Sequence, residues 1–274
     1  MTSFSLFALL PIDVFAERMR REGAVTVFHH IPKTAGSSLV QELRTCFPPY
    51  CNVSALQHRS EAGQQADVLM NAVETFLGDH AKVGYRSASG HFRLPHLNRM
   101  RENLPHSNVF TFLRDPVARM VSEFRYTRTP KQPTYLSYIE RYPTIEDFID
   151  SPQEQNRMWQ FIAPRGLLPD AEGLEKIFRR YAFIGLVEDL KLCFEFYTGL
   201  TGHPKTPATR TNVTEARSDN DVALTKELVA KIRTANADDI ALYEAVQARI
   251  EPRRAEMQAY IDARRALYAG NAAE

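Results

Sequence analysis

VFHHIPKTAGSSLVQEL, residues 27–43, decides how this chain is read. The residues that lead into it, AVTVFHHI from Ala24, are β-branched and aromatic and predict a buried strand. Pro32 and Gly36 break the extended run, and from Ser37 or Ser38 the apolar spacing of Leu39, Val40 and Leu43 turns helical. Strand, short turn and helix follow in order, with a single lysine, Lys33, in the turn. Such a turn aims successive backbone N–H groups and a helix N-terminus at one point, which favours a bound anion, most often a phosphate.

The turn differs from the nucleotide-triphosphate loop, in which the lysine follows the second glycine and directly precedes a hydroxyl residue. Here Lys33 precedes Gly36, the loop is short, and hydroxyls stand at Thr34, Ser37 and Ser38. It suits one 5′-phosphate-like group rather than a triphosphate with its magnesium. IPKTAGSS resembles the 5′-phosphosulfate loop of sulfotransferases that use 3′-phosphoadenosine-5′-phosphosulfate (PAPS), in particular the carbohydrate, heparan sulfate 2-O-sulfotransferase-like branch. Relatives commonly carry a second glycine where this chain has Ala35, a change that costs backbone freedom but keeps the N–H donors.

Working outward, the clearest later strand is NVFTFL, whose run from Val109 to Leu113 is of the kind buried in a parallel sheet. Asp115 suits an N-cap and Pro116 the first helical position, so VARMVSEFRY starts a helix at once. This second strand-turn-helix unit should meet the first at the carboxyl ends of the strands, where open parallel sheets bind ligands. A short strand runs from Ala81 to Gly90 with His91 just beyond, and YAFIGLVEDL, residues 181–190, gives another apolar strand followed by a helix. Residues 11–22 predict an amphipathic helix, and Val68, Leu69, Ala72, Val73 and Phe76 mark one face of another. IEDFID and PQEQNRMWQFIA read as short helices with Trp159 in the core, and residues 127–143, rich in proline and tyrosine, as a long surface loop bordering an acceptor site.

The expectation is one domain over residues 1–274: an N-terminal packing segment (1–23), an α/β core (24–200), a cofactor-side loop (201–219) and C-terminal helices (220–274). The fold class is α/β, a P-loop-like three-layer arrangement with a mostly parallel central sheet flanked by helices. At 274 residues and 44% hydrophobic the chain can bury a substantial core, and a net charge of +1 argues against a bulk electrostatic partner such as nucleic acid. Cys46, Cys51 and Cys193 form neither a disulfide framework nor a zinc motif, so a reduced compartment is expected. FSLFALLPIDVF is interrupted by Pro11 and Asp13, lacks a basic leader and is too short to span a membrane. A soluble, cytoplasmic, bacterial-type enzyme is the corresponding expectation.

The resemblance extends from about residue 25 to residue 243, strongly at the two strand-turn-helix motifs and weakly elsewhere. It implies that the loop from Lys33 through Thr34, Ala35, Gly36, Ser37 and Ser38 holds the 5′ end of PAPS. It also implies that Arg114 and Ser122 hold the 3′-phosphate, and that Asn212 and Arg217 lie on a late loop over the cofactor. Lys33 would also reach the bridging oxygen of the leaving group. His91, in SGHFRL, matches the family's general base, and an imidazole with a pKa near ~6.5 suits removal of a hydroxyl proton. His96 is its neighbour and rival; His29 and His30 read as strand residues behind the site, and Arg119 as a structural or rim residue. Weaker parallels mark Asn156 and Arg157 as contacts near the acceptor or cofactor and Glu188 as orienting His91 or the acceptor, while Arg86 and Arg93 are basic residues suited to a sugar or an anionic glycan.

The expected reaction is in-line transfer of a sulfuryl group from PAPS to a hydroxyl of a saccharide or glycan, with no metal required. A small-molecule kinase using ATP is the alternative within enzymes, but neither a magnesium-binding carboxylate beside the loop nor a triphosphate-length glycine turn can be placed. A catalytically silent nucleotide-binding module is the alternative outside them. It would keep Lys33 and Arg114 and need no base.

Overall fold

The computed structural model describes residues 2–22, 25–54, 67–202, 204–208 and 220–271. Two helices, α1 (Phe4–Phe7) and α2 (Ile12–Glu22), precede strand β1 (Val25–His29) and helix α3 (Gly36–Cys46). Then come β2 (Tyr50–Asn52), α4 (Val68–Val83), β3 (Ser87–Gly90), α5 (Leu94–Asn103), β4 (Ser107–Leu113) and α6 (Pro116–Thr127). Four short helices, α7 (Tyr135–Arg141), α8 (Ile145–Asp150), α9 (Arg157–Ile162) and α10 (Ala171–Phe178), lead to β5 (Phe183–Leu186) and α11 (Leu190–Thr201). The chain closes on α12 (Lys226–Ala235), α13 (Ala237–Ile250) and α14 (Arg254–Asn271).

Among the described residues the five strands are all parallel, in the order β2-β3-β1-β4-β5. β1 is central: His29 lies opposite Gly90 of β3, and Phe28 opposite Phe110 of β4. The chain therefore leaves β1, β3 and β4 at the same edge of the sheet, and the segments after them converge there. Every residue of β1, β3, β4 and β5 is buried, as expected of strands covered by helices on both faces. Each fully buried Phe in that core contributes about 1.5–3 kcal/mol.

The N-terminal segment packs inward. Phe4 and Phe7 are fully buried, with ring contacts to Phe178, Phe183 and Phe196. A second, smaller core joins Val117, Met120, Val121 and Phe124 of α6 to Phe148 and Ile149 of α8 and Ile232 of α12. α6 is thus clamped on one face, which leaves the other for the carboxyl edge of the sheet.

Helix ends follow local chemistry. Asp67 caps α4 through the amides of Leu69 and Met70, and Gly84 ends it at φ 65. Asp115 caps α6 through Ala118 N, with Pro116 at the first position. The expected α/β fold with a parallel central sheet flanked by helices is present, and two local expectations change: residues 81–83 finish α4 rather than open β3, because Gly84 stops the helix late, and residues 127–143 contain α7 rather than a continuous loop. No helix among the described residues is long and apolar enough to cross a membrane.

Candidate active site

A crevice of about 1090 Å³ lies along the carboxyl edge of the sheet. Pro32, Lys33, Ala35, Gly36, Ser37 and Ser38 line it from the first turn, Arg114, Ala118, Ser122 and Tyr126 from the second, and His91 from the end of β3. Arg114 Nη1 donates to the carbonyl of Lys33 at 3.3 Å, so the two turns that look alike in sequence touch.

The first turn has unusual backbone geometry. Lys33 and Ala35 adopt φ 68° and 61°, the left-handed region in which a non-glycine residue is strained by roughly 1–2 kcal/mol. Ala35 is the N-cap of α3 and offers no side-chain cap, so no carboxylate or hydroxyl at that position occupies the helix N-terminus. Helix α3 starts at Gly36, one or two residues ahead of its expected start. Lys33 Nζ lies 4.0 Å from the centre of the Tyr126 ring. Desolvation in the crevice pulls its pKa down from 10.5 to about 8, opposed by Glu123 and assisted by Arg114, Arg119 and Lys131.

Thr34 departs from expectation. It is fully buried and its hydroxyl donates to the carbonyl of Ile31 at 2.9 Å, so it shapes the turn and faces away from the crevice. A threonine three residues after a carbonyl at the strand end is the signal for such a local bond.

His91 opens to the crevice, and its Nδ1 lies 2.8 Å from the carbonyl oxygen of His30. A carbonyl can only accept, so Nδ1 carries the proton and Nε2 is left with a free lone pair. Desolvation lowers the pKa of His91 below its ordinary value, opposed by that backbone bond and by Glu123. His96 is not among the residues that line the crevice. It is buried, its Nδ1 accepts from the Arg93 amide at 2.9 Å, and its Nε2 is 2.9 Å from Asp67 Oδ2, so it ties α5 to α4. His29 is also structural, with its ring between the Tyr181 hydroxyl and the Phe92 carbonyl, and burial lowers its pKa to about 3.

None of Arg93, Asn156, Arg157 and Glu188 lines the crevice. Asn156 accepts from the amides of Asp238 and Asp239 and donates its own amide to Asn236, clipping the start of α9 to α13. Arg93 and Arg157 flank the Phe161 ring at 4.0 and 5.6 Å and donate to the Gln160 and Gln153 carbonyls. Glu188 bonds to groups other than His91. Its carboxylate accepts from the Asp115 amide and from the Tyr243 hydroxyl, each at 3.0 Å, and so braces the turn that carries Arg114. Arg86 precedes β3 at the edge of the sheet opposite the crevice. Asn212 and Arg217 lie outside the described residues.

His30, expected as a strand residue behind the site, instead follows β1 and lines the crevice, which also contains residues that motif reading passed over: Glu123, Arg125, Tyr126, Lys131 and Lys191. Helical spacing carries the missing signal for Tyr126, which stands one turn after Ser122 as Ala118 stands one turn before it. Glu123 pairs at 3.3 Å with Arg119, whose fully buried guanidinium also lies 3.9 Å from Asp239, so Arg119 is structural. Lys131 and Lys191 come from distant stretches that no single motif joins.

A crystal structure of a sulfotransferase from Alicyclobacillus acidocaldarius matches with 14% identity over 81% of this chain and 96% of that chain, at a TM-score of 0.43. No curated protein matches the chain. The model of the sulfotransferase family, by contrast, matches residues 19–244, from the helix before the first strand to beyond the last strand of the sheet, and the chain belongs to that family.

Proposed function

We propose that the crevice transfers a sulfuryl group from PAPS to a hydroxyl of a saccharide acceptor, with His91 as the general base. The observation that carries this reading is the meeting of the two turns: Arg114 and Lys33 lie in contact on one wall system, with the free Nε2 of His91 opening into the same space. The residues present fit a ligand with two separated anionic groups. α3 offers an N-terminus without a side-chain cap and the Lys33 ammonium at one turn, while Arg114 and Ser122 offer a guanidinium and a hydroxyl at the other.

His91 Nε2 takes the proton of the acceptor hydroxyl as its oxygen bonds to sulfur and the bond from sulfur to the departing phosphate oxygen breaks. Lys33 and the amides at the start of α3 meet the negative charge that grows on that oxygen. Arg114 and Ser122 hold the 3′-phosphate, each charge-assisted bond contributing roughly 1.5–3 kcal/mol. Rate enhancement in such a site comes mainly from positioning and fixed electrostatics.

Calorimetry with 3′-phosphoadenosine-5′-phosphate (PAP), ATP with magnesium, ADP and AMP tests the donor half. Preference for PAP is expected, and a preference for ATP with magnesium-dependent turnover would replace the reading with a kinase. Transfer of labelled sulfate from PAPS to a panel of saccharides, with wild type and His91→Ala, tests the rest. Transfer by the wild type and loss in the variant are expected; PAP binding without transfer to any hydroxyl would leave a silent binding module.

A further inference from the structure

The crevice contains a second imidazole that the proton-transfer reading leaves without a task. His30 follows β1 directly, and its ring centre lies 4.1 Å from that of His91 at a tilt of 32°. Phe28 backs it at 5.6 Å, its ring nearly parallel at 14°. At its far edge the ring meets the phosphate turn: a Cβ placed on Gly36 would lie 1.6 Å from His30 Nε2 and 1.9 Å from Cδ2. Gly36 is not among the residues with positive φ, so its backbone would accept alanine, and the space taken by His30 is what demands glycine.

We propose that His30 is a positioning residue, a flat wedge that sets the plane of His91 and its distance from the phosphate turn. This rests on reading His91 as the base. The carbonyl of His30 fixes which nitrogen of His91 is free, and its ring fixes where that nitrogen points. The titratable and charged groups around the pair are His29 from β1, Lys33 from the turn and Glu123 from α6. Desolvation holds the His30 pKa well below the ordinary value, so the wedge is uncharged at neutral pH beside Lys33 and His91.

The test follows the NMR titration of the His91 ring, which needs no turnover, together with kcat and PAP calorimetry. In His30→Ala, water replaces the wedge, and the His91 pKa should rise toward about 6.5. kcat should fall roughly tenfold to a hundredfold with PAP affinity retained. Gly36→Ala should disturb His91 in the wild type by pushing the ring aside. The same change in the His30→Ala background should add nothing, because the space is then free. His30→Gln, a planar group of similar reach, serves as a second variant, with a His91 titration between wild type and His30→Ala expected. A His91 titration unchanged in both His30 variants, or a Gly36→Ala effect on it undiminished by His30→Ala, would overturn the proposal. If the wild type binds no PAP and transfers nothing, the function reading fails, while the titrations still decide whether His30 holds His91.

Discussion

The β1-α3 and β4-α6 turns share one description in sequence and differ in how they meet charge. Asp115 fills the N-terminus of α6, accepting from Ala118 N at 2.8 Å, while its own amide goes to Glu188. Ala35 leaves the corresponding position of α3 without a side-chain cap and holds left-handed geometry to do so. At the first turn backbone amides can therefore receive an anion; at the second the cation must come from a side chain, Arg114. One turn carries backbone strain and presents dipoles, whereas the other is relaxed and presents an arginine.

Lys33→Ala should give the largest effect in support of this contrast. It removes the single cation of the strained turn and should lower kcat roughly 10²–10³-fold in a steady-state sulfate-transfer assay. An equal effect on PAP affinity alone, with kcat intact, would move Lys33 from transfer to binding. Arg114→Ala should weaken PAP by roughly 10- to 100-fold in calorimetry and leave AMP almost untouched, since AMP lacks the group that Arg114 is assigned.

Ala35→Asp attacks the contrast directly. Aspartate tolerates left-handed backbone and would place at α3 the carboxylate that α6 already has, so PAP affinity should drop about tenfold. If affinity holds, the first helix N-terminus is not the anion site. A smaller effect concerns pH. With Lys33 titrating at about 8, its positive charge is present below that value and lost above it, so PAP affinity should fall as pH rises through 8. Between pH 7.5 and 8.5 the protonated fraction changes about threefold, and Lys33→Arg should remove the dependence.

The smallest effects are on stability, and they should have opposite signs at the two turns. Ala35→Gly relieves left-handed strain and should raise stability by about 1 kcal/mol, whereas Asp115→Ala removes a helix cap and should lower it by about 1 kcal/mol. Thermal melts of the two variants, compared with wild type, measure both.

The histidines show where sequence reading stops. Position after a short strand singled out His91, and the structure places it at the crevice. Nothing in SGHFRL distinguishes it from His96 by chemistry; the structure pairs His96 with Asp67, twenty-nine residues away, and leaves it off the crevice lining. Asn156 and Glu188 were chosen on short parallels, and both prove to bind backbone amides far along the chain. A polar residue that braces two distant segments carries no local mark of doing so.

Local sequence was enough to mark the strands β1, β3, β4 and β5 and the helices α3, α6 and α11, though not α5, α7 or α10, because strand burial, helix caps and turn breakers act over fewer than about ten residues. It located the lysine turn, the arginine turn and the histidine after the third strand on that basis. Tertiary structure alone decided that Arg114 reaches the Lys33 carbonyl, that His30 rather than a bound group takes the space at Gly36, and that Glu123, Lys131 and Lys191 join the crevice. Those contacts depend on strand order and helix packing, which bring together groups separated by tens of residues, and no short-range preference encodes their distances.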